Sequence, residues 1–178
     1  AGYLGSLDET PYSLDVAKAK ELLAAAGYRD GFEVTMTVRN DQLRMEMAQA
    51  IQNTLGQAGI KVTLKPGAGA EVLGDYRARN HELTLQSWGP DYPDPHTNAS
   101  TFAWNPDNAD EAKLTGVLAW RNAWDPGELT AAVDAAVVER DTEKRKAMYE
   151  DMQRKLRDHS GFVPMFQEIA QTALRANV

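Results

Sequence analysis

The stretch "FEVTMTVRNDQLRMEMAQAIQNTLGQAGIKVTLK", residues 32–65, decides the fold. Its first eight residues alternate Val34, Met36 and Val38 with polar neighbours, the period of a strand that packs one face and leaves the other wetter. Leu43, Met47, Ile51 and Leu55 then recur at every fourth position, which predicts a helix ended by Gly59. "IKVTLK" alternates again, so the whole reads strand, helix, strand.

Upstream, Asp15 is the predicted N-cap of a helix "VAKAKELLAAA", with Gly27 at its left-handed end and Ala19, Leu22, Leu23 and Ala26 as its buried stripe. Downstream, after the loop "PGAG", the segment "AEVLGDYRARN" places Val72, Leu73 and Tyr76 on one side of a short helix, and "ELTLQ" alternates as a third strand. Alternating strands and helices of these lengths predict an α/β chain with two right-handed crossovers and a mostly parallel sheet. Ligands of such open sheets sit beyond the carboxyl ends of the strands.

"SWGPDYPDP", residues 87–95, follows the third strand at such an end. Pro93 and Pro95 fix their own φ and push Tyr92 and Asp94 toward extended backbone, which holds Asp91 in place. From residue 89 to about 108 the sequence carries no helix or strand pattern, and stretches of that length in a compact domain are commonly functional. Residues 87–108 are therefore the candidate binding loop. Its aromatics Trp88, Tyr92, Phe102 and Trp104 argue against disorder. A single carboxylate such as Asp91 beside aromatic rings is what a ligand ammonium needs; the alternative role for Asp91 is a turn or cap acceptor.

The last third is helical, with Leu129, Val133 and Val137 in "PGELTAAVDAAVVERD" and Met148, Met152 and Leu156 in "TEKRKAMYEDMQRKLRDHS", the latter capped by Thr142. Both helices read as cover for the sheet. "GFVPMFQEI" reads as a final strand with Pro164 at an edge or bulge. Trp120 and Trp124 in "WRNAW" read as core, and His81 and His159 as solvated.

At 178 residues the chain is one domain that buries roughly 70% of its unfolded surface. It has 19 basic and 26 acidic residues, net −7, without a basic stripe, which argues against nucleic acid as a partner. Cysteine is absent, so there is neither a disulfide framework nor a thiolate metal site. No apolar run approaches a membrane span. The first residues lack an initiator methionine and the last is apolar, the look of a piece of something longer.

Enzyme signatures fail on spacing. "GAGAEVLG" follows a strand, but the third glycine of a dinucleotide loop would fall at Val72. "HELTL" has Leu85 where a zinc-protease helix needs its second histidine. Asp91, Asp94 and His96 form the one triplet worth testing as a hard-metal site. A third reading is an interaction module whose acidic aromatic loop docks a partner protein.

Several segments together resemble the family 5 extracellular solute-binding proteins, the peptide, nickel and opine receptors of ABC importers. "DVAKAKELLAAAGY" is similar to that family's D-P-x-x-A-K-x-L-L-x-x-A-G-Y helix, "AIQNTLGQAGIKVTLK" to its helix and strand, and "WGPDYPDP" to its W-x-x-D-Y-x-D-P loop. "ERDTEKRKAMYEDMQRKLRD" and "VPMFQ" resemble its closing helix and strand, so the likeness runs over about residues 12 to 170. The resemblance implies a type II periplasmic-binding-protein-like lobe, three-layered, with residues 1–178 forming the second, inserted lobe of a two-lobed receptor. It implies that Asp91 pairs with a ligand α-ammonium, that Trp88 lies near the ligand, and that Asp94 and Pro95 are structural. It further implies a monomeric, non-enzymatic receptor without cofactor, periplasmic or extracellular, membrane-associated in a Gram-positive host, which delivers an amine-bearing solute to a membrane permease. The expected ligand-binding residues are Asp91, Trp88, Tyr92 and Trp104.

Overall fold

A computed structural model describes residues 13–159, 161–166 and 173 of the protein. The elements are α1 (Val16–Ala25), β1 (Phe32–Arg39), α2 (Gln42–Gln57), β2 (Ile60–Gly67), α3 (Gly69–Arg77), β3 (Leu83–Thr84), α4 (Pro95–Phe102), a 3₁₀ turn (Asp110–Ala112), α5 (Leu118–Arg121), α6 (Glu128–Val138) and α7 (Thr142–His159). β1, β2 and β3 form a parallel sheet in the order β2-β1-β3. β1 and β2 pair from Phe32 opposite Ile60 to Arg39 opposite Gly67. Parallel strands need long crossovers, and α2 and α3 supply them.

The sequence places these elements by local chemistry. Asp15 and Asp41 cap α1 and α2 by accepting from the backbone N–H of Lys18 and Arg44. Gly27 and Gly59 follow the ends of those helices at φ +91° and +99°. Gly31 and Gly59 stand just before the two paired strands and touch: a Cβ on Gly31, whose φ is +78°, would lie 1.9 Å from the Gly59 carbonyl oxygen. The paired strand starts are thus set by two backbones closer than any side chain permits.

One core lies between the sheet and α2. Met36, Val38, Ala48 and Val62 are buried there, with Met45, Ile51, Leu55, Leu64 and Leu83 packed around them. Ala48 replaces the predicted Leu43 as the contact from α2, and Leu43 is exposed. Thr37 is also buried, so the central strand is covered on both faces and the expected wet face is lost at that residue. α3 supplies the third layer with Val72 and Tyr76 buried.

Several expectations change here. α1 has no buried residue: of its predicted apolar stripe, Leu22 and Ala26 are exposed and Ala19 and Leu23 are half-buried. β3 is two residues long because the Thr35 N–H of β1 donates to the Glu82 carboxylate (2.6 Å), a side chain standing where a strand carbonyl would. α6 and α7 do not cover the sheet. They pack with α4 around a separate core of Ala103, Leu129, Val133, Ala136, Tyr149 and Met152, with Ala136 rather than Val137 facing inward. Asp141, not Thr142, caps α7, accepting from the Lys144 N–H. Residues 161–166 of the expected final strand form no strand, and its remainder lies outside the described residues.

Candidate functional site

The candidate loop runs from one core to the other and is fastened at both ends. At its start, Leu85 N–H and the Thr84 hydroxyl donate to the Thr37 carbonyl of β1, and Arg44 of α2 donates to the Ser87 hydroxyl (3.0 Å). At its end, Asp94 accepts from the His96 N–H and caps α4, with Pro95 at the first helical position. A helix over 95–102 was unexpected, because Pro and polar residues mask its pattern; the Asp-Pro pair was the signal for its start.

Asp94 is also held from outside the loop. Arg145 of α7 donates to both its oxygens, at 2.8 and 3.1 Å, the two-pronged geometry of a strong ion pair. Chiefly through that guanidinium, with the His96 N–H adding to it, the Asp94 carboxyl is held below the usual carboxylate range. This commitment removes Asp94 from a metal site, and among the described residues no three histidines or carboxylates converge on one.

Between the anchors the chain is open. Asp91 is exposed and has no hydrogen bond or ion pair within the described residues, and Tyr92 is 48% exposed. The Asp94 N–H donates back to the Tyr92 carbonyl, tightening the turn immediately after Asp91. Trp88 is half-buried and meets Phe102 of α4 edge to face, with centroids 5.3 Å apart. Phe102 meets Phe162, which meets Trp124, in the same edge-to-face manner. Trp88, Asp91 and Tyr92 thus lie within five residues of one loop, with Asp91 and Tyr92 exposed and Trp88 turned onto α4. Trp104 packs against the helical core and its indole N–H donates to Asp134.

Arg39 was missed by sequence reasoning. It is the last residue of β1, and β1 and β3 are parallel neighbours, so their carboxyl ends share an edge. Its Nε is buried without a partner, 3.5 Å from where a Cβ on Gly69 would lie, and its guanidinium has no hydrogen bond or ion pair within the described residues. A buried cation group left unpaired is costly. A charged residue closing an alternating strand was the available signal.

Other predicted positions resolve as structural. Trp120 is buried, donates to the Ala109 carbonyl and lies under the Arg79 guanidinium at 3.9 Å. His81 is not solvated: it is half-buried edge-on to Tyr76, near Asn122, and burial lowers its pKa. His159 is exposed. Two concavities, of about 270 Å³ beside Trp124 and Lys155 and of about 360 Å³ beside Met47 and Phe166, lie away from the loop. Asp91 is an exposed carboxylate in the loop that follows β3, and Arg39 ends the neighbouring strand β1 with its guanidinium beside Gly69 and within electrostatic reach of Asp41.

Residues 2–110 match the family described as bacterial extracellular solute-binding proteins, family 5 middle. The chain is 25% identical over 181 residues to Di/tripeptide-binding protein 2 of Pseudomonas aeruginosa, covering 99% of the chain and 32% of that protein. It is 27% identical over 169 residues to a dipeptide-binding protein of another strain of that species, covering 92% of the chain and 30% of the relative. The chain thus spans about a third of the length of the curated relatives it matches. Among solved structures, the periplasmic binding protein DppA of Helicobacter pylori, in complex with the peptide STSA, superposes with a TM-score of 0.74 at 25% identity, over 84% of this chain and 28% of that one. AgaA of Agrobacterium tumefaciens R10, in complex with agropinic acid, gives 0.77 at 25% identity, over 87% and 31%.

Proposed function

Because the chain belongs to the bacterial extracellular solute-binding proteins, family 5, we propose that it is the second, ligand-binding lobe of a two-lobed receptor that captures an amine-bearing solute and hands it to an ABC importer. The curated relatives named above carry di- and tripeptide-binding names and one structural neighbour holds an opine, which supports peptides or opines as the solute class. A periplasmic or extracellular place of work goes with the family.

The observation that carries this reading is Asp91, an exposed carboxylate without a partner in a loop anchored at both ends. Asp91 receives the ligand ammonium, Trp88 and Tyr92 form the apolar wall beside it, and Arg39 receives a ligand carboxylate. Trp104 serves by holding the helical core behind the loop. Closure of the other lobe would supply the opposite wall and exclude water, which strengthens each charged contact.

The test is thermal stabilisation of the full gene product by a panel of dipeptides and opines. Wild-type protein should gain stability from at least one of them, Asp91→Asn should lose that gain while keeping its own melting temperature, and Arg39→Gln should lose it for ligands with a free carboxylate. Equal gains in wild type and Asp91→Asn would overturn the assignment.

A further inference from the structure

We infer that Arg145 is a positioning residue that fixes the ligand-binding loop from the helical core, an inference that rests on the binding role proposed for Asp91. Arg145 stands in the first turns of α7. Its Nε donates to the Ala136 carbonyl near the end of α6, its two Nη atoms donate to the two oxygens of Asp94, and Nη2 also reaches the Tyr149 hydroxyl. The guanidinium is only partly exposed, 24% for the side chain, and Tyr149 beneath it is buried.

Each of these contacts fixes the next. The α6 carbonyl and the tyrosine orient the guanidinium, the guanidinium orients Asp94, and Asp94 caps α4 and ends the turn whose first exposed side chains are Asp91 and Tyr92. α4 carries Phe102 to the ring of Trp88. Arg145 therefore holds both the carboxylate and the aromatic wall in one frame, three residues and one helix removed from either. The sheet core and the helical core are separate bodies of packing, so the loop between them is fixed only as well as its two fastenings. Arg44 and Ser87 make the sheet-side fastening, and Arg145 makes the other. A binding group held in its bound geometry before the ligand arrives loses less freedom on binding.

Lysine cannot replace this residue, because a point charge on a flexible stem lacks the fork that spans both Asp94 oxygens and still reaches Ala136. The test compares Arg145→Gln, Arg145→Lys and Met152→Ala in the full gene product. Met152→Ala loosens the same core without touching the clamp. Two quantities are measured below the melting temperatures of all variants: hydrogen exchange of amides 88–94 in ligand-free protein, and the dissociation constant of the dipeptide that stabilises wild type best.

Arg145→Gln should speed loop exchange and weaken the dipeptide on the order of tenfold, Arg145→Lys should fall between it and wild type, and Met152→Ala should change both far less than Arg145→Gln does. Unchanged loop exchange in Arg145→Gln overturns the inference. So does a weakening in Met152→Ala equal to that in Arg145→Gln, since general loosening would then suffice. If no dipeptide or opine binds wild-type protein, the proposed ligand class fails by itself and the exchange measurement still decides whether Arg145 orders the loop.

Discussion

Single residues differ in whether their charged groups are satisfied or left over. Arg79 is fully engaged: its backbone sits at φ +58°, and its guanidinium donates to the Trp120 and Asn108 carbonyls, to the Asn108 side chain and to Asp110. Asp110 is largely exposed, so the carbonyl bonds rather than the ion pair carry the stabilisation. Arg79→Ala should lower unfolding free energy by about 3 kcal/mol in chemical denaturation, since it removes four side-chain hydrogen bonds and uncovers the ring of Trp120. Gly31→Ala should cost about 2–4 kcal/mol, because its Cβ meets the Gly59 carbonyl and its φ suits glycine alone. Burial pushes the Tyr76 phenol up to about 12, above its ordinary value of 10. The folded state thus favours the neutral phenol, and the stability this contributes is present below pH 10 and lost as pH rises from 10 toward 12. Melting curves across that range should fall more steeply for wild type than for Tyr76→Phe.

At the scale of elements, what the sequence made legible is what local chemistry decides alone. The cap at Asp15, the strands β1 and β2, and the burial of Val72 and Tyr76 all follow from patterns that no distant contact alters. What was not legible depends on distant partners. α1 shows an amphipathic pattern, yet its stripe is at most half-buried among the described residues. β3 is cut short by the Glu82 side chain, which accepts from the Thr35 N–H 47 residues away, and α4 is built from residues of poor helical pattern held by a cap and a remote arginine. α6 and α7 are amphipathic as read, but an apolar stripe does not say which neighbour it meets, and they meet α4 and each other. Met152→Ala should therefore cost about 3 kcal/mol and raise amide exchange in α4, α6 and α7 more than in β1 and β2. Equal loosening of the sheet would show the two cores to be one cooperative unit.

At the scale of the whole molecule, the loop's position follows from topology: the carboxyl end of a short third strand, beside the end of the central strand, with a second core behind it. Asp91, Trp88 and Tyr92 stand out in the sequence because the loop concentrates an acid and aromatic rings between prolines, which is what the binding role proposed for them rests on. Arg39 does not stand out, because the lack of a partner for its Nε shows only in three dimensions. A lobe whose charged groups face open solvent holds a zwitterion weakly, and burial by a second lobe is what would make the pair selective. The most direct measurement is calorimetric titration of the full gene product with a dipeptide and with the same dipeptide N-acetylated. The account predicts that acetylation weakens binding about a hundredfold and that Asp91→Asn erases the difference between the two ligands. Equal affinity for both forms in the wild-type protein would contradict it.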